Sequence, residues 1–271
     1  MIRLSGLLPP LGSFGKLMFI DTHCHLDDDS FSGRLPEILE LAWTAGVTRF
    51  IVPGVGPTCW DKVMAVAAGN DGVFAAPGVH PMRAGELDVP ALAMLQKLAP
   101  KAVAIGEIGL DYSYDIPREV QQAAFRAQLR LAVRLRLPVL LHCRRAFHDL
   151  LVILREEEVA RVGGVMHAFS GSPEIAAECV NLGLFIGVAG PVTYDNAVRP
   201  VEVVRRIPLE HLLLETDAPD LTPVPYRGCP NEPAFLLETA RKVAEIKCVP
   251  LEEVARITTA TACHLFNLPR M

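Results

Sequence analysis

Residues 118–142 read R-E-V-Q-Q-A-A-F-R-A-Q-L-R-L-A-V-R-L-R-L-P-V-L-L-H. Phe125, Leu129, Ala132 and Val133 fall on one face at helical spacing, and Pro117 stands where a helix start tolerates a missing N–H. The spacing predicts a helix over 118–136, followed at once by a short apolar run, 138–142, that ends in His142. An apolar run without polar alternation suits a strand buried on both faces, as in a parallel sheet.

The same unit recurs outward in both directions. Further runs rich in Val, Ile and Leu lie at 17–22, 49–53, 73–79, 102–107, 163–167, 184–188 and 212–217, separated by amphipathic stretches. Eight such repeats predict an α/β fold, a closed (β/α)8 TIM barrel rather than an open sheet. Two more helices, predicted over 234–246 and 251–265, follow the last strand and would cover the exterior and the C-terminal tail. No linker, repeat or low-complexity stretch divides the chain, so 18–271 reads as a single barrel domain. Residues 1–17 carry glycine, the pair Pro9-Pro10 and no metal-binding side chain, and read as a dispensable extension, with Met18 as an alternative start.

Of 271 residues, 51% are hydrophobic and 21% charged, which excludes the composition of a disordered chain. Seven scattered cysteines without a Cys-x-x-Cys pair support neither a disulfide framework nor a thiolate zinc site, and point to the cytoplasm. No apolar run is long enough to span a membrane. A net charge of −5 argues against broad capture of nucleic acid, so any DNA contact is expected to be local and transient. No obligate protein partner is evident.

In α/β barrels the chemistry sits where strands end. The first ends in Asp21-Thr22-His23-Cys24-His25, and in an extended chain positions i and i+2 project together, so His23 and His25 can grip one ion while Cys24 points elsewhere. The fourth ends at Glu107, the fifth at His142, the sixth at His167 and the eighth at Asp217. One histidine at a strand end is more often structural than a ligand. Six such donors on one rim are different, because buried carboxylates without a cation cost several kcal/mol each in order of magnitude.

Six protein ligands exceed the needs of one tetrahedral ion. Two divalent metal ions are expected, with Zn, Mg and Mn all compatible. His23, His25, Glu107 and Asp217 would hold the first, and Glu107, His142 and His167 the second, with Glu107 as the bridge. Such a pair, about 3.5–4 Å apart, suits hydrolysis of phosphate esters. Asp217 is the candidate general base, or else a pure ligand, and Glu107 is the second candidate catalytic residue. Candidate substrate contacts are His80 in Gly-Val-His-Pro at 78–81, Arg144 two positions after His142, Tyr112, and Arg227 and Asn231 in the loop 226–233. Each has a plain alternative: a structural histidine, exposed arginines of an ordinary surface, a packing aromatic. His148, His211 and His264 read as structural.

The motifs F-I-D-T-H-C-H-L-D (19–27), G-V-H-P (78–81), G-E-I-G-L-D-Y (106–112), L-H-C-R (141–144), H-A-F-S-G (167–171), L-E-T-D-A-P (214–219) and R-G-C-P-N-E-P (227–233) follow one another in a fixed order. With them the chain resembles the TatD family of metal-dependent deoxyribonucleases, amidohydrolase-like barrels, from Met18 to the end. The resemblance implies a (β/α)8 barrel, a binuclear site at the six positions above, and nuclease activity on DNA, in several members as a 3′ to 5′ exonuclease. The family also includes deacylases of tRNA charged with D-amino acids, so a tRNA ester stays open as the alternative substrate. An amide or lactone is disfavoured: many binuclear amidohydrolases bridge their metals with a carboxylated lysine on strand four, whereas here that strand delivers Glu107 and Lys101 stands at its other end. A catalytically dead scaffold is disfavoured because all six donors are present.

Overall fold

The unit at 118–142 folds as α4 (Arg118–Leu135) running into β5 (Val139–Arg144). The helix stops at Arg136, which turns left-handed (φ 58°) and gives its N–H to Ala132 and Val133 carbonyls. Pro138 then favours an extended conformation for the residue before it. On the buried face Phe125, Leu129 and Ala132 are joined by Leu131, while Val133 is only half-buried. Truncating a core Phe such as Phe125 to Ala would cost about 3–5 kcal/mol.

A computed structural model describes residues 17–269. The extension expected over 1–17 lies, except for Leu17, outside the described residues. The units in chain order are β1 (Phe19–Asp21), α1 (Leu35–Thr44), β2 (Val47–Pro53), α2 (Trp60–Gly69), β3 (Val73–Ala76), α3 (Val89–Leu98), β4 (Ile105–Asp111), α4, β5, α5 (Phe147–Glu156), β6 (Gly164–Met166), α6 (Pro173–Asn181), β7 (Leu184–Val188), α7 (Val198–Arg206), β8 (Leu212–Leu214), α8 (Leu236–Lys247) and α9 (Leu251–Leu265). All ladders are parallel, in the orders β1-β2-β3 and β4-β5-β6-β7-β8. Backbone hydrogen bonds cross both seams: Thr22 N–H to Leu214 O (3.0 Å) at one, Val103 N–H to Ala75 O (3.0 Å) and Gly106 N–H to Pro77 O (3.2 Å) at the other. The fold is the expected (β/α)8 barrel.

Apolar side chains form two layers. The larger packs the helices onto the outside of the strands. The smaller fills the barrel with Ile20, Ile51, Ala76, Leu140, Val165 and Leu213, and is continuous with Cys263, Phe266 and Leu268 at the end of α9. Arg49, near the start of β2, donates to Pro269 O, so the tail of α9 plugs the N-terminal mouth and leaves the opposite mouth for chemistry.

Strand four runs past the end expected at Glu107. Gly109 pairs with His142 at φ +147°, and a Cβ there would lie 2.0 Å from His142 O. The glycine keeps β4 against β5 instead of ending the strand. In contrast, β8 ends at Leu214, three residues early, because the backbone then turns to a left-handed Asp217 (φ 59°).

Candidate metal centre

The i, i+2 rule holds after β1. The His23 and His25 rings meet edge to face with centroids 5.2 Å apart, while Cys24 packs into the outer core. From β4, Glu107 turns its two oxygens to different partners. Oε2 is 3.3 Å from His23 Nε2; Oε1 is 2.8 Å from His142 Nδ1 and 3.7 Å from His80 Nε2. Beyond β8, Asp217 Oδ1 lies 3.6 Å from His23 Nε2, 3.6 Å from His25 Nε2 and 3.4 Å from His167 Nε2.

All six expected donors therefore meet at one mouth. Their grouping differs in one respect: His167 stacks on His23 (3.4 Å between centroids) and joins it and Asp217, while His142 joins Glu107 and His80. His167 thus stands nearer the first expected ion than the second.

The donor set fits a cation. His23 is fully buried, and neither ring nitrogen has a hydrogen-bond partner. An unpaired buried polar atom costs about 1–3 kcal/mol, so a lone pair left free there calls for a Lewis acid. Burial also pushes the His23 pKa down, which keeps that lone pair unprotonated. Burial would raise the Asp217 carboxyl, yet His167 and His25 overcome it and hold Asp217 well below the usual carboxylate range.

Neighbouring groups fix which nitrogen of each ring faces the centre. Asp111 Oδ2 lies 3.0 Å from His142 Nε2, which leaves Nδ1 to the Glu107 side. Burial lowers the His142 pKa, but the Asp111 and Glu107 carboxylates outweigh it and push it up to about 9. Asp111 itself, despite burial, is drawn down to about 2 by His142 and Ser113. At His167, Glu215 Oε1 sits 3.0 Å from Nδ1, an ion-pair contact rather than an aligned hydrogen bond, and Nε2 looks at Asp217. Carboxylates behind ligating histidines set tautomer and basicity in metal sites generally. His80 behaves differently. Its Nδ1 accepts the Met82 N–H (3.1 Å), so the neutral ring carries its proton on Nε2 and is a donor, not a ligand.

Asp111, Glu215 and Asp21 went unassigned in the sequence. Asp21 is fully buried and accepts from the Thr216 N–H (3.0 Å), the Thr216 hydroxyl and the His23 N–H (3.3 Å), tying β1 to the end of β8 beneath the donor cluster. Burial lifts its pKa to about 7 against those hydrogen bonds. Spacing was the available signal: Asp21 and Glu215 each precede a candidate ligand by two positions.

The expected substrate contacts scatter. Arg144 is exposed at the end of β5. The Tyr112 hydroxyl donates to Asp149 (2.7 Å) and the Arg118 guanidinium covers its ring at 4.4 Å. Arg227 stacks over Tyr194 at 4.2 Å. Asn231 is fully buried, with its amide NH2 shared between Thr216 O (2.8 Å) and Asp220 O (2.7 Å), so it holds the loop behind Asp217. His148, His211 and His264 lie in α5, just before β8 and in α9, away from the donor groups. Among the described residues no helix is long and apolar enough to cross a membrane.

Known proteins resemble the chain along nearly its whole length. The profile of the TatD related DNase family covers residues 20–267. The metal-dependent hydrolase YabD of Bacillus subtilis is 41% identical over 254 residues, 93% of this chain and 100% of its own. The 3′-5′ ssDNA/RNA exonuclease TatD of Edwardsiella piscicida is 35% identical over 258 residues, 92% and 99% of the two chains. The crystal structure of YjjV, a TatD homologue from Escherichia coli K12, superposes with a TM-score of 0.89 at 39% identity, covering 94% of this chain and 100% of that one. The chain belongs to the TatD related DNase family and is one of its metal-dependent hydrolases.

Proposed function

We propose that the chain is a two-metal phosphodiesterase that removes nucleotides from DNA 3′ ends. The observation that carries this reading is Glu107, whose oxygens face different histidines, Oε2 toward His23 and Oε1 toward His142, as a bridging carboxylate requires. His23, His25, Glu107 and Asp217 would hold one ion, with His167 on the same side; Glu107 and His142 through Nδ1 would hold the other. Such ions supply Lewis acidity, lower the pKa of water towards about 7 and attract a phosphodiester.

The chain's own groups do the rest. Asp217, kept ionised by its histidines, takes the proton of the attacking water. His80 points its Nε2–H towards Glu107, where a phosphoryl oxygen could accept it. Arg144 at the rim offers a planar fork to a neighbouring phosphate. The Edwardsiella relative, named for 3′-5′ exonuclease activity on single-stranded DNA and RNA, supports the substrate class and polarity. A net charge of −5 favours a single strand end entering a mouth over an extended duplex groove.

The test is a panel of 3′-labelled and 5′-labelled single strands, duplex DNA, and tRNA charged with a D-amino acid, each with Mg, Mn and Zn. Release of mononucleotides from single-strand 3′ ends is expected. Deacylation of the tRNA at Asp217-dependent rates, with every DNA end intact, would replace this reading with the deacylase.

A further inference from the structure

Beside the metal ligands the open mouth leads into a chamber of about 490 Å³, within the ~300–1,000 Å³ usual for small-molecule sites. His142, His167 and Asp217 form one wall. Its other polar lining residues, Arg144, Ser170 and Asp220, are exposed, which sets them at the entrance. What is buried in the remaining walls is apolar: Phe169, Ile186, Val188, Val192, Val203 and Val204, none more than 8% exposed. The backbone there is engaged as well. Phe169 N–H donates to Gly187 O, Val192 N–H to Ala189 O and Glu215 N–H to Val188 O.

A sugar or phosphate pushed into such walls would give up water and find no replacement. A flat ring loses little on its two faces. Phe169, propped edge to face on Phe147 with centroids 5.5 Å apart, adds an aromatic surface to the chamber. We propose that the chamber takes the base of the nucleotide being removed, holding it by its faces and reading none of its edges. The inference rests on the phosphodiesterase reading above. It makes cleavage dependent on a ring at the strand end and indifferent to that ring's hydrogen-bonding pattern.

The test uses the unaltered enzyme on three single strands that differ only in the terminal 3′ nucleotide: thymine, difluorotoluene (its apolar isostere) and an abasic residue. Stacking on a protein surface is tolerant of base identity, so kcat/KM for the first two should agree within about threefold and the abasic end should be slower by about tenfold or more. Val203→Phe, which fills the chamber, should bring the thymine-to-abasic ratio towards one with metal content retained. Equal rates for thymine and abasic ends, or a difluorotoluene end as slow as the abasic one, would overturn the chamber's role while leaving the phosphodiesterase reading standing. Failure to cleave any of the three with any metal would remove both. If Val203→Phe does not fold, the three substrates alone decide.

Discussion

At His142 two carboxylates address one ring, Glu107 at Nδ1 and Asp111 at Nε2. If Asp111 serves to hold the Nε2 proton, Asp111→Ala should weaken metal affinity by about 10–100-fold, as losses of such partners do. Competition with a chromophoric chelator measures this, and an unchanged affinity would make Asp111 merely structural. Asp217→Asn should cut turnover by about 10²-fold or more, since an amide fills the space but accepts no proton. Near-normal turnover with metal retained would assign the base to another group. The six donors were legible because each ends an apolar run, and i, i+2 spacing put His23 and His25 on one side. Asp21, Asp111 and Glu215 were not, because a carboxylate supporting a ligand and one facing solvent read alike until burial is known. The position of His167 was not legible either, since its ring orientation depends on Glu215, contributed by a different strand end.

Among the elements, α4 shows how polar residues on an apolar helix face position a site. Gln121 accepts the Asp111 N–H (2.9 Å) and donates to Asp111 O (2.9 Å), and Gln128 does the same for Val79, next to His80. Each amide serves as a clamp on one strand end. The periodicity predicted the helix and its apolar face, but gave no role to the two glutamines buried in that face. Gly109, by contrast, permits the close pairing of β4 with β5. Gly109→Ala should destabilise the fold by about 1–3 kcal/mol, the usual cost of overpacking, and loosen metal binding as β5 shifts away. Denaturant titration with and without metal checks it; an unaffected midpoint would mean that the backbone gives way without consequence. Asn231→Ala should lower stability by about 1–3 kcal/mol, chiefly by leaving the buried Thr216 carbonyl short of a donor.

For the whole molecule, hydrogen bonds join the strands across both seams and the tail of α9 closes the N-terminal mouth. Eight strands and two trailing helices were readable from hydrophobic rhythm alone. The plug and the apolar chamber were not, since each is assembled from segments far apart in the chain. A chain beginning at Met18 is expected to fold and bind metal normally, because β1 pairs fully without the preceding residues; loss of folding would show that they pack into the barrel. Ions that bind the folded chain alone stabilise it by mass action, so chelation should lower Tm by roughly 5–10 °C, reversibly. The central claim is a bridged pair of ions, and metal content per chain tests it most directly. Elemental analysis of protein saturated with Zn or Mn should give two equivalents, falling to one or fewer in Glu107→Gln together with the loss of hydrolysis. One equivalent at saturation in the unaltered chain, with full activity, would contradict it.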